Sequence, residues 1–368
     1  MRTEPVTMFL CGDVMLGRGV DQILPRPGDP ALEEYYVRDA RGYVELAERM
    51  NGPIPRPVGF AWPWGEALTV LEDASPDIRV LNLETSVTDD GEFAPGKGIH
   101  YRMNPGNLPC LAAARPDVCS LANNHVMDFG VRGLEDTLDA LASAGLRSAG
   151  AGRDAEEAGA PAVVDLERGG RVVVAAFGTT STGIPPGWAA RDDGPGVHLV
   201  PEDAGVGAAR VAARIAEARG PRDVVVASVH WGSNWGYGVS DQRAMAHALV
   251  DGGVDVVHGH SSHHPRPIEV YRDRLILYGC GDFVNDYEGI QGYEDFRDDL
   301  RLMFLPSVDA GTGRLLALRM VPLVSRRMRL GPASRRDAWW LQETLDDVSR
   351  DLGCRVVPEG DELALRWT

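Results

Sequence analysis

Apolar runs that stop on a polar or titratable residue recur along this sequence, with helical segments between them. Residues 6–11 end at Gly12-Asp13, and residues 77–83 end at Glu84. Residues 118–121 lead to Asn123-Asn124-His125, residues 224–229 to His230, and residues 254–257 to His258. Residues 133–144 carry Leu134, Leu138 and Leu141 at helical spacing and stop at Gly145. Residues 204–218 and 241–250 read as further helices, and residues 171–177 as a Val-rich strand. This alternation predicts an α/β fold. Ligands of open α/β sheets bind outside the carboxyl ends of the strands. Asp13, Glu84, Asn124, His230 and His258 are therefore predicted to share one site.

After Pro265 the pattern turns to β, with runs at 268–271, 275–278, 302–305 and 315–321 and a turn at Asp273-Arg274. A helix over 337–352 and a short strand pair follow. Segments 24–63 and 88–109 read as long loops, which in compact domains often carry function. No linker divides the 368 residues. The expectation is one domain over 1–368, with a core at about 6–305 and a strand and helix extension at about 306–368.

The net charge of −17 excludes a nucleic-acid partner and disfavours an anionic membrane surface. No apolar run reaches the roughly 18–20 residues of a membrane span. Residues 1–10 lack a signal-peptide pattern, so a cytoplasmic chain is expected. The five cysteines are scattered, with no CxxC, and are expected to be buried, reduced thiols.

Four of the nine histidines fall within seven residues, at His258, His260, His263 and His264. Histidine is the commonest metal ligand, and carboxylate and Asn oxygens complete mixed sites. Asp13 and Glu84 are read with His258 and His260 as ligands, one carboxylate being able to bridge two ions. Asn124 either caps a helix or binds metal, leaving His125 to act as acid or base. Asp128 either orients His125 or caps the helix. Arg18 either clamps a carboxylate or phosphate or lies on the surface. His230 opens a Gly-rich loop with Trp231, Trp235 and Tyr237, either an apolar binding wall or a packed aromatic cluster. His263 and His264 either act directly or lie in a solvated loop.

The series Gly12-Asp13-Val-Met-Leu-Gly-Arg18, Asn82-Leu-Glu84, Asn123-Asn124-His125, Val229-His230-Trp-Gly and His258-Gly-His260-Ser-Ser-His-His resembles the CapA family of poly-γ-glutamate capsule synthesis. Tyr278-Gly-Cys-Gly-Asp282-Phe-Val-Asn-Asp286 resembles it as well. That family is related to calcineurin-like metallophosphatases. The resemblance implies an αββα sandwich with a metal site at the strand C-terminal ends. It implies Asp13, Glu84, Asn124, His230, His258 and His260 as ligands and His125 as the non-ligand catalytic residue. The family's DxH histidine is replaced here by Met15, and its bridging Asp by Glu84. One ion, or one strong and one weak site, is therefore expected.

Within the family the chain is similar to a cytoplasmic branch that modifies peptides. The expectation drawn from this is a metal-dependent epimerase inverting the C-terminal Trp of a lasso-peptide precursor. His125, Asp128 and His263 would be its catalytic residues, and Arg18, Trp231 and Trp235 would hold the peptide. A divalent ion (Mn, Zn, Fe or Ca) and no organic cofactor would be needed. A peptide and a precursor-recognition protein would be the partners. The alternatives are a phosphoester or amide hydrolase on the same ions, and a non-enzymatic CapA-type component of poly-γ-glutamate assembly.

Overall fold

A computed structural model of the chain describes residues 5–167 and 169–368. The first four residues of the N-terminal stretch read for a signal peptide lie outside the described residues. Five strands carry the site: β1 (Pro5–Val14), β2 (Ile78–Leu83), β3 (Val118–Ser120), β4 (Val224–His230) and β5 (Val256–His260).

Two mixed sheets form the sandwich. The first runs Cys354–Glu359, Glu362–Trp367, Leu315–Ser325, Leu300–Asp309, β1, β2, β3, Arg147–Ala149. Asp282–Val284 lies beside the end of β1, and Leu330–Pro332 beside Leu315–Ser325. The second runs Ile268–Tyr271, Arg274–Leu277, β5, β4, Arg171–Gly178, Ala162–Asp165. The chain beyond residue 305 thus completes the first sheet.

Period-2 alternation decides which side chains meet. Val6, Met8 and Leu10 of β1 pack with Val172, Val174, Val226 and Val256 between the sheets. Phe9 and Cys11 face an outer layer that includes Tyr43, Val44, Leu134 and Leu138. Val173, Val225, Ala227 and Val257 face the other outer layer, with Val211, Met245 and Leu249. This is the αββα arrangement expected of a calcineurin-like fold. All five cysteines are buried and unpaired.

β1, β2 and β3 are mutually parallel, as are β4 and β5, so their carboxyl ends open on one edge. Asp13 sits beside Asn82, and His230 beside His260. Gly12 allows a close approach: a Cβ there would lie 1.7 Å from the Gly281 carbonyl oxygen. That approach brings Asp282 alongside Asp13.

Three local expectations shift. Segment 24–63 contains the helix Arg41–Asn51, which buries only Tyr43, Val44 and Ala47, a weak apolar signal. Glu66–Ala74 is a further helix that the sequence reading left out. The hairpin turn falls on Arg272-Asp273, both at positive φ, one residue before the expected position.

Candidate metal centre

Three of the expected ligands form one tight buried group. Asp13, His230 and His260 place ligand atoms within 4.8 Å of one another. Asp13 Oδ1 accepts from Asn82 Nδ2 at 2.8 Å. Asp13 Oδ2 is buried and has no hydrogen-bond partner. Burial, reinforced by the neighbouring Asp282, pushes the Asp13 carboxyl up to about 7. An orphaned oxygen on a buried carboxyl grouped with two imidazoles is costly unless a cation completes it, so the donor set fits a divalent metal ion.

The protons of the imidazoles follow from one carbonyl. His258 Nε2 lies 2.7 Å from the Cys11 carbonyl oxygen. A carbonyl only accepts, so Nε2 carries the hydrogen and Nδ1 of the neutral ring does not. Ser228 Oγ donates to His258 Nδ1 at 3.1 Å and accepts from His260 Nε2 at 3.0 Å. His260 Nδ1 is therefore bare and faces His230 Nδ1 at 2.8 Å. His230 Nε2 faces Asn124 Oδ1 at 2.9 Å. A neutral His230 has one N–H, which satisfies either His260 Nδ1 or Asn124 Oδ1. The other contact is left with two acceptors facing each other, which repel unless a cation lies between them. Burial holds His230 and His260 well below the ordinary imidazole value and His258 at about 4, so all three are neutral at pH 7.

The remaining expected ligands sit differently. His258 spends both ring nitrogens on Cys11 and Ser228 and offers none to the group. Asn124 reaches it through His230. Glu84 faces it from one side, with Oε1 3.8 Å from both His230 Nε2 and His125 Nε2. Burial and Asp13 push the Glu84 carboxyl well up.

A second group shares Asp13 and adds His263 and Asp282. His263 Nδ1 lies 2.9 Å from Asp282 Oδ1, and Asn234 Nδ2 lies 3.0 Å from its Nε2. Burial pushes His263 down, but Asp282 and Asp13 outweigh it and raise the ring above its ordinary value. The two carboxylates thus favour a proton on this ring, with Nδ1 donating to Asp282.

His125 Nδ1 donates to Asp128 Oδ2 at 2.6 Å, so Asp128 orients the ring and directs Nε2 toward Glu84. Burial lowers the imidazole to about 4. Asp128 also accepts from the Tyr101 amide at 2.7 Å. Lys97 Nζ contacts Asp128 Oδ1 at 2.5 Å and the Asn124 carbonyl. Sequence reasoning missed Lys97, although the signal was plain: it is the only lysine in the chain. It also missed Asn82, whose amide nitrogen holds both Asp13 and Glu84. Asn82 Oδ1 in turn accepts from Asn123.

The residues assigned to hold a peptide are placed elsewhere or already engaged. Arg18 is buried, paired bidentately with Asp286 at 2.8 and 2.5 Å and with Glu34 at 2.9 Å. Its guanidinium lies 3.6 Å over the Tyr43 ring. Trp231 is buried and donates to the Tyr278 carbonyl at 3.0 Å, so it is a packed aromatic of the core. Trp235 reaches the site rim, with its ring centre 5.3 Å from that of His263, but one face is stacked on Tyr293 at 4.0 Å.

Among the described residues no helix is long and apolar enough to cross a membrane. The family model described as bacterial capsule synthesis protein PGA_cap matches residues 7–287. A probable polyglutamine synthesis accessory protein of Mycobacterium tuberculosis is 55% identical over 362 residues, 98% of this chain and 95% of that protein. The PGA biosynthesis protein CapA of Bacillus subtilis is 30% identical over 82% of this chain and 68% of its own. The capsule biosynthesis protein CapA of Bacillus anthracis is 27% identical over 82% of this chain and 64% of its own. These relatives are named as accessory or biosynthesis proteins, not as epimerases, which overturns the expectation of a peptide epimerase. The geometry agrees, since Arg18 has no free fork for a peptide carboxylate and Trp231 no free face for an indole. The chain belongs to the PGA_cap family of bacterial capsule synthesis proteins.

Proposed function

We propose that this chain is an accessory component of glutamyl-polymer synthesis that holds one divalent cation and binds carboxylates of the polymer there. The observation that carries this reading is Asp13 Oδ2, buried without a partner beside His230 and His260. Asp13, His230 and His260 would hold the ion. Imidazole nitrogens favour Mn, Fe or Zn over Ca, which prefers an all-oxygen shell. The bound ion supplies positive charge for a glutamyl carboxylate. Lys97, paired with Asp128 beside Asn124 and His125, borders the same site. The name of the Bacillus subtilis relative, a PGA biosynthesis protein, supports the choice of polymer.

The test is calorimetric titration of a γ-glutamyl dipeptide into the full chain, metal-loaded or treated with EDTA. Binding that needs the ion and disappears in His260→Ala supports the reading. Equal affinity with and without metal, or no binding by the loaded protein, overturns it.

A further inference from the structure

The hairpin that follows Leu315–Ser325, together with the start of the next helix, carries arginine in unusual density. Arg326, Arg327, Arg329, Arg335 and Arg336 fall within eleven residues that contain no acidic side chain, in a chain of net charge −17. All five are exposed. Among the described residues none of them has an ion-pair partner, whereas most other exposed arginines pair with a carboxylate. Arg329 lies 5.1 Å over the Trp62 ring, which leaves its fork free.

Two local preferences are broken to place these charges. Arg327 and Met328 both sit at positive φ, 57° and 50°, where Gly or Asn is the easy choice. Arg335 and Arg336 occupy the first turn of the helix Arg335–Ser349, the end where the helix dipole disfavours cations. Asp337 does not offset them, because its oxygens are taken by Arg297 and Ser334. Departures from local consistency concentrate at functional surfaces.

The hairpin is also held rigid. Glu288 accepts from the amides of Arg327 and Met328 at 2.6 and 2.5 Å. Trp62 Nε1 donates to the Arg327 carbonyl at 3.0 Å, and Met328 is buried. Arg326, Arg327 and Arg329 line a cleft of about 500 Å³ with Asn51, Glu66 and Leu330. That cleft shares Asn51 and Arg326 with one of about 330 Å³ that reaches Tyr287. That second cleft is lined by Glu288, Glu294, Asp298 and Asp299 beside Arg297 and Arg301, so the unpaired cationic strip ends at Arg326.

We infer that the surface from Arg326 to Arg336 is a second docking site for the same polymer, taking a run of γ-glutamyl carboxylates several residues from the one at the metal centre. This rests on the proposed function for the identity of the polyanion. Guanidinium forks match carboxylates bidentately, and a rigid row of them suits a repeating anion. Elsewhere the acidic surface repels such a chain, so this strip fixes where it runs.

The test compares a γ-glutamyl dipeptide, a γ-glutamyl 20-mer and a thymidine 20-mer binding to the metal-loaded full chain. The second protein is the triple variant Arg326→Gln, Arg329→Gln, Arg336→Gln. The γ-glutamyl 20-mer should bind about tenfold or more tighter than the dipeptide, and the triple variant should lose that excess while holding the dipeptide as before. Raised salt should remove the same excess. A triple-Lys variant should keep part of it, which separates charge from damage to the turn. An excess that survives in the triple-Gln variant, or its absence in the parent, overturns this inference while leaving the metal-centre reading intact. A thymidine 20-mer bound as tightly as the γ-glutamyl one overturns the assignment to a polycarboxylate. Failure of the dipeptide and the γ-glutamyl 20-mer alike removes the proposed function, and this inference with it.

Discussion

His258 Nε2 donates to the Cys11 carbonyl across 2.7 Å and so ties the second sheet to the first at the edge where both expose their polar ends. A histidine that the sequence pattern marks as a ligand is thereby a strut. Its second nitrogen starts the relay through Ser228 that leaves His260 bare toward the centre.

Replacing His258 should therefore cost stability more than metal. His258→Ala leaves the Cys11 carbonyl and Ser228 buried without partners, a loss of about 2–4 kcal/mol. Urea denaturation should read that loss, while metal content by mass spectrometry stays near one ion per chain. Loss of the ion with unchanged stability would reverse the assignment.

The same residue predicts a pH dependence. Burial depresses its folded value to about 4, against an unfolded value of about 6.5. The folded state refuses a proton that the unfolded state takes. Its contribution is full above pH 6.5 and is lost as pH falls toward 4, by about 1.4 kcal/mol per pH unit. Denaturation midpoints of the metal-free protein between pH 8 and 4.5 should fall accordingly. The slope in His258→Ala should be shallower by one proton.

Metal removal should act through Asp13, His230 and His260. Saturating Mn or Zn should raise the stability of the parent chain by about 2–3 kcal/mol at a hundredfold excess over Kd. Asp13→Asn and His260→Ala should show no such rise in thermal unfolding. A rise of the same size in either variant would place the ion elsewhere.

Lys97, the only lysine, gives a selective probe. At neutral pH an amine-reactive ester should label two amines in the chain, Lys97 and the α-amino group. Binding of a γ-glutamyl dipeptide should slow labelling at Lys97 alone, read by peptide mass mapping. Equal protection of both amines, or of neither, would take Lys97 out of the binding site.

Arg18 should prove structural. Arg18→Met leaves Asp286 and Glu34 buried and unpaired, which costs about 3–5 kcal/mol. Denaturant unfolding checks this. A variant of normal stability that no longer binds the γ-glutamyl dipeptide would instead return Arg18 to the ligand.

The sequence by itself determined the architecture and the location of the site. Apolar runs of period 2 bury strands, and the polar residue after each run has nowhere to go but the open carboxyl edge. That reasoning was enough to bring Asp13, Glu84, Asn124, His230 and the His258-Gly-His260 end of β5 to one edge. What only the tertiary structure decided is which donor atoms remain free. That depends on partners far apart in the chain, such as Cys11 for His258, Asp286 for Arg18 and Tyr278 for Trp231. Asp13 and Asp282 lie side by side only because Gly12 lets two backbones approach. A side chain's chemistry is local, but the lone pairs and protons it has left to offer are set by what packs against it.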